Sequence, residues 1–96
     1  MLMETVWTYE SVKNYRQNLD YLVKEWDYSV VADFIEKVEC CIELIKENWN
    51  IGSYEKVLDC HKILVVQQIY LFYEIKDNVL IIHNIWNTKR KPYWSE

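Results

Sequence analysis

The chain has 96 residues, 51% of them hydrophobic and 16% aromatic, with a net charge of −4 and only one glycine and one proline. That composition excludes a disordered or low-complexity chain and fits one domain over residues 1–96, able to bury roughly two thirds of its unfolded surface. No apolar run approaches the ~20 residues of a membrane span and the N-terminus lacks a basic-then-apolar secretory pattern, so a cytoplasmic protein with no membrane partner is expected.

Residues 3–7 read as a short first strand ending at Thr8, a good helix N-cap. From 9 to 26, Val12, Tyr15, Leu19, Leu22, Val23 and Trp26 recur at helical spacing while Lys13, Arg16, Asp20 and Lys24 fall away from them, which predicts an amphipathic helix with one buried face. Asp27-Tyr28-Ser29 breaks the pattern, and Ser29 is placed to cap a second helix whose stripe is Val31, Phe34, Val38, Cys41, Ile42 and Ile45. The two helices form an antiparallel hairpin. On the far side of the second helix Glu36, Glu39, Glu43 and Glu47 repeat at three- and four-residue spacing, the pattern of a solvated outer face; the alternative is a side that repels nucleic acid.

Residues 48–59 contain Gly52 and read as a crossing loop anchored by Ile51 and Tyr54. The stretch that follows holds three β-branched and aromatic runs, 62–66, 69–75 and 79–86, separated by the hairpin-sized breaks Gln67-Gln68 and Asp77-Asn78. In the middle run Ile69, Leu71, Tyr73 and Ile75 alternate with Tyr70, Phe72 and Glu74, giving one face fit for a core that the upstream helices must cover. The fold class is therefore α+β: a short N-terminal strand, a helical hairpin, then a three-stranded antiparallel meander with the helices packed on one face.

Charge is uneven along the chain. Residues 1–60 carry 12 acids and 6 bases, whereas residues 61–96 carry 3 acids and 5 bases, with Lys89, Arg90 and Lys91 clustered beyond the last strand and Tyr93 and Trp94 close behind. A basic spot with exposed aromatics suits a partner surface. Three cysteines are an odd number, and Cys40 and Cys41 are chain neighbours, which argues for buried reduced thiols over a disulfide framework. Two histidines are too few for a metal site without further ligands. His61 and His83 have structural readings as strand residues, His83 as core if it shares an inward face with Ile81 and Ile85, with acid/base work as its functional alternative. Trp86 is either buried at a strand end or exposed, and Lys62 by itself reads as a solubilising strand lysine.

In this order the elements resemble the RelE/ParE superfamily of toxins from bacterial type II toxin–antitoxin pairs, over nearly the whole chain. The resemblance is carried by Val6-Trp7-Thr8, Phe34-Ile35-Glu36-Lys37-Val38, the segment 42–48, Ile51-Gly52-Ser53-Tyr54, the segment 60–66, Leu71-Phe72-Tyr73 and the closing segment 85–92. It implies a growth-inhibiting toxin whose partner is a cognate antitoxin. RelE-like members cut messenger RNA on the ribosome without a metal or other cofactor. The resemblance then casts Lys62 and Arg90 as the groups that hold the scissile phosphate, Tyr70 or Tyr93 as stacking or acid/base groups, and Trp86, Lys89, Lys91 and Trp94 as contacts to RNA or a partner. Two positions depart from that pattern: Tyr70 stands where the ribonucleases carry an arginine, and Leu64 where they carry a second sheet lysine. ParE-like members instead poison DNA gyrase through protein contact, which the missing cations fit better, and a non-toxic interaction protein with the same fold is the third reading.

Overall fold

The computed structural model describes residues 3–88. Its order is β1 (Glu4–Trp7), α1 (Tyr9–Glu25), α2 (Tyr28–Glu47), a 3₁₀ turn (Trp49–Ile51), β2 (Ser53–Glu55), β3 (Cys60–Val66), β4 (Ile69–Lys76) and β5 (Val79–Asn87). The expected strand, helical hairpin and meander are present. The sheet is larger than the meander, however, with strand order β1-β5-β4-β3-β2. β1 joins β5 in parallel, with Thr5 opposite Leu80 and Trp7 opposite Ile82, and β2 adds an antiparallel edge to β3 within the segment read as loop.

Both hairpin turns follow from their residues. Asp77 and Asn78 have φ of 53° and 61°, the two left-handed positions of a type I′ turn, and Asp and Asn tolerate that region better than other non-glycine residues. The β3–β4 turn places Gln67 at φ 37° and carries a register shift between Leu64 and Val66.

The core lies between the helices and one face of the sheet. Phe34, Val38, Cys41 and Ile45 of α2 meet Leu71 and Tyr73 of β4 and Leu80, Ile82 and Ile85 of β5, so the expected stripe of α2 and the expected alternation of β4 are both realised. Val31 is also buried, and Ile42 packs half-buried against this cluster. Trp7, Tyr15 and Phe34 meet in sequence as tilted rings at centroid distances of 5.2 and 5.9 Å, tying β1 to both helices.

Three local expectations are corrected. The cap of α2 is Asp27, whose Oδ1 accepts from the backbone N–H of Ser29 and Val30 and from the Ser29 hydroxyl; Ser29 already lies inside the helix. In α1, Val23 and Trp26 are exposed, and the fully buried positions are Ser11 and Asn14. The reason lies on β5, where buried Asn84 needs a polar partner and accepts from Asn14 Nδ2 at 2.8 Å, while Asn18 Nδ2 reaches the carbonyl of Ile85 at 3.3 Å. Finally, Ile51 and Tyr54 are exposed. The crossing is anchored instead by the buried Tyr73 hydroxyl, which donates to the Trp49 carbonyl at 2.7 Å and accepts from the Gly52 N–H at 3.0 Å.

Candidate binding face of the sheet

Because β4 alternates, the side turned away from the helices receives Tyr70, Phe72 and Glu74. Pairing places Lys62 opposite Phe72, Leu64 opposite Tyr70, and Tyr70 opposite Trp86, which brings the expected site residues Lys62, Tyr70 and Trp86 onto one surface. Phe72, Cys60 and Trp86 bury one another there, with Leu58 and Tyr70 packed around them. Trp86 is 8% exposed, so of its two readings the buried one holds, and its ring is part of the floor of this face rather than a platform open to a base.

Lys62 is not a loose cation. Its Nζ lies 3.3 Å from Glu55 Oε1 and 5.2 Å from the centroid of the Tyr70 ring. Leu64, two residues along β3 from Lys62, is 48% exposed. A phosphate approaching Lys62 therefore meets a carboxylate already in place and an apolar neighbour, an arrangement that weakens anion binding compared with an unpaired pair of lysines. Arg90, Tyr93, Lys89, Lys91 and Trp94 lie outside the described residues.

A second group of residues sits at the β1 side of this face. A register shift between Phe72 and Tyr73 leaves His83 as an extra residue in β5, so the simple alternation that would have put it in the core is broken. Its Nε2 lies 2.9 Å from Glu74 Oε1 and its side chain is about one third exposed. Thr8 holds the bulge from the other side: its N–H donates to the Ile82 carbonyl at 3.1 Å and its hydroxyl to the His83 carbonyl at 3.0 Å, while the same oxygen caps α1 by accepting from the Ser11 N–H. Thr8, Glu10, Leu58, Cys60 and His83 line a cavity of about 400 Å³. Burial, reinforced by Glu55 and Glu74, pushes the Cys60 thiol up to about 11, so it stays protonated at neutral pH and is no nucleophile. His61 stacks on Tyr73 and meets Trp49 and Tyr54 edge-on, a structural position.

Sequence reading missed Glu55 and Glu74. Glu74 was within reach, since the alternation that places Tyr70 and Phe72 on this face places Glu74 beside them. Glu55 was not, because it reaches Lys62 only through a three-residue edge strand that leaves no periodic signal. Among the described residues no three His, Cys, Asp or Glu side chains converge as a metal site, and no helix is long and apolar enough to cross a membrane.

A strand, two helices and a meander, with the first strand paired in parallel to the last, make up the fold of this chain. Two solved assemblies give that fold a concrete match. A chain of the YoeB–YefM complex from Staphylococcus aureus superimposes with a TM-score of 0.58 at 10% identity, covering 88% of this chain and 95% of that one. A chain of the heterotetrameric YoeB–YefM toxin–antitoxin complex from the same organism gives a TM-score of 0.59 at 11% identity over the same shares. No protein-family model and no curated protein matches the sequence.

Proposed function

We propose that this chain is the toxin of a bacterial toxin–antitoxin pair, acting in the cytoplasm by contact with a protein target such as DNA gyrase and restrained by a cognate antitoxin. The shared fold with chains of toxin–antitoxin complexes supports the pairing. The observation that carries the mode of action is Lys62 held by Glu55 at 3.3 Å, with Leu64 and Tyr70 in the two neighbouring positions where a cutter of RNA would place cations. A loose, phosphate-stabilising array is what such chemistry requires, and this face is paired and aromatic instead.

The test is induced expression in a bacterial host with growth recorded, messenger-RNA ends mapped on translating ribosomes, and supercoiling by gyrase assayed beside them. Growth arrest with supercoiling inhibited and messenger RNA intact is the expected result. Unimpaired growth at high expression would leave the third reading, an interaction protein without toxicity.

One observation favours ribosome-dependent messenger-RNA cleavage as a second reading. His83, re-aimed by a bulge and oriented by Glu74, stands at the mouth of a cavity with the geometry of an acid/base group. It would serve the RNA's own 2′-hydroxyl as nucleophile, with Lys62 and Arg90 as electrostatic groups. Cleavage that disappears in Arg90→Ala and His83→Ala would establish this reading over the first.

A further inference from the structure

We propose that the outer face of α2 is a docking surface for a cationic amphipathic helix of a partner protein. The inner face of α2 is committed to the core through Phe34, Val38, Cys41 and Ile45. Its outer face carries an open groove of about 780 Å³ in which Glu36, Glu39, Glu43 and Glu47 stand beside Cys40, Ile42 and Leu44. Leu44 is 43% exposed at that surface. A solvated helix face is normally laced with pairs of opposite charge. Here only Glu43 has a cation, Lys46 at a loose 3.8 Å, and Glu36, Glu39 and Glu47 make no ion pair among the described residues. The groove thus combines an apolar strip with a row of uncompensated carboxylates.

That combination decides the occupant by elimination. A second copy docked through the same face would set two rows of four glutamates against each other. Nucleic acid and anionic membrane surfaces are repelled by the same charges. A helix bearing lysines or arginines three to four residues apart, flanking a row of leucine-like side chains, meets both features at once. The acidic row spans residues 36–47, roughly 17 Å at 1.5 Å per residue, so the matching segment is about three turns long. The inference needs a partner and not a toxic activity: a chain that arrests no growth but binds the probe keeps it.

The probe is a synthetic 14-residue amidated peptide with leucine and lysine at helical spacing, compared with a version carrying glutamate for lysine and with a scrambled order of the same residues. Binding is read by fluorescence anisotropy, and site-resolved alkylation reads Cys40, the exposed thiol in the groove, against the buried Cys41 and Cys60. Binding is expected at about micromolar Kd, weakening with salt, together with alkylation of Cys40 slowed severalfold at saturation. Glu39→Lys with Glu43→Lys should weaken binding about tenfold, as should Glu36→Lys with Glu47→Lys, a second exposed pair that keeps the result independent of either variant's folding. Binding of the glutamate or scrambled peptide as tight as that of the lysine peptide, affinity undiminished from the parent chain in both charge-reversed variants, or an unchanged rate at Cys40 would overturn the proposal.

Discussion

Tyr73 and Gly52 form a tight local arrangement. Gly52 has φ −82°, which any residue adopts. It is glycine for want of space: a Cβ would stand 2.5 Å from the Lys62 carbonyl oxygen and 2.7 Å from the Tyr73 hydroxyl. Gly52→Ala must push β2 off β3 and should cost ~1–3 kcal/mol, and Tyr73→Phe, which leaves the Trp49 carbonyl and Gly52 N–H without their partner, a similar ~1–3 kcal/mol; urea titration measures both. Cys60 gives a pH prediction. Its ordinary value of 9.0 is raised in the fold to about 11, chiefly by burial. Below pH 9 both states keep the proton and nothing changes. Between 9 and about 11 only the unfolded chain releases it, so stability falls as pH rises, and Cys60→Ala should shallow that fall in alkaline melting curves. Burial also raises Tyr15, Tyr73 and Cys41, so part of the slope remains. Little of this was legible in the sequence, where Gly52 looks like an ordinary loop glycine and Tyr73 like one more core aromatic.

At the scale of elements, the helices begin where short polar side chains meet free N–H groups. Thr8 caps α1 and also clamps β5, whereas Asp27 caps α2 alone. The hydrogen bonds from the Ser29 hydroxyl and the backbone of Val30 and Ser29 hold the Asp27 carboxyl below its ordinary 3.8. A depressed carboxylate contributes stability above its unfolded value and loses it as pH falls through the folded one. Asp27→Ala should therefore lower the melting temperature near neutrality, with the difference from the parent chain vanishing in strong acid. The sequence reading takes Ser29 as the cap where the structure has Asp27, because both residue types cap helices and they lie two apart. The buried face of α1 was misread for a different reason: hydropathy ranks Val23 and Trp26 above Asn14, but Asn14 is drawn inside to donate to the buried Asn84 Oδ1 on β5 at 2.8 Å, which also accepts from the Ile85 N–H at 2.9 Å.

Across the whole molecule, the first strand closes the sheet against the last. Removing residues 1–7 would bare the parallel edge of β5 and one side of its buried row Leu80, Ile82 and Ile85. Light scattering on a size-exclusion column should show the truncated chain associating, whereas a folded monomer would show that β1 is dispensable. Charge is divided on the same scale: the described residues hold 14 acids and 8 bases, while Lys89, Arg90 and Lys91 are concentrated beyond β5. Any partner of this chain must match a predominantly acidic body, which is a constraint on partners rather than on fold.

By itself, the sequence determined the helical stripe of α2, the two-sided alternation of β4 and the hairpin break at Asp77 and Asn78, because those features depend on side chains within one turn or one pleat of each other. The pairing that brings Lys62, Tyr70 and Trp86 onto one surface came from the structure. Only the tertiary structure decided that β1 runs parallel to β5, that β2 exists and delivers Glu55 to Lys62, and that a bulge turns His83 toward Glu74. Each of the first two joins segments whose attraction is too weak to register locally, and the third depends on Thr8 reaching His83 from 75 positions away along the chain.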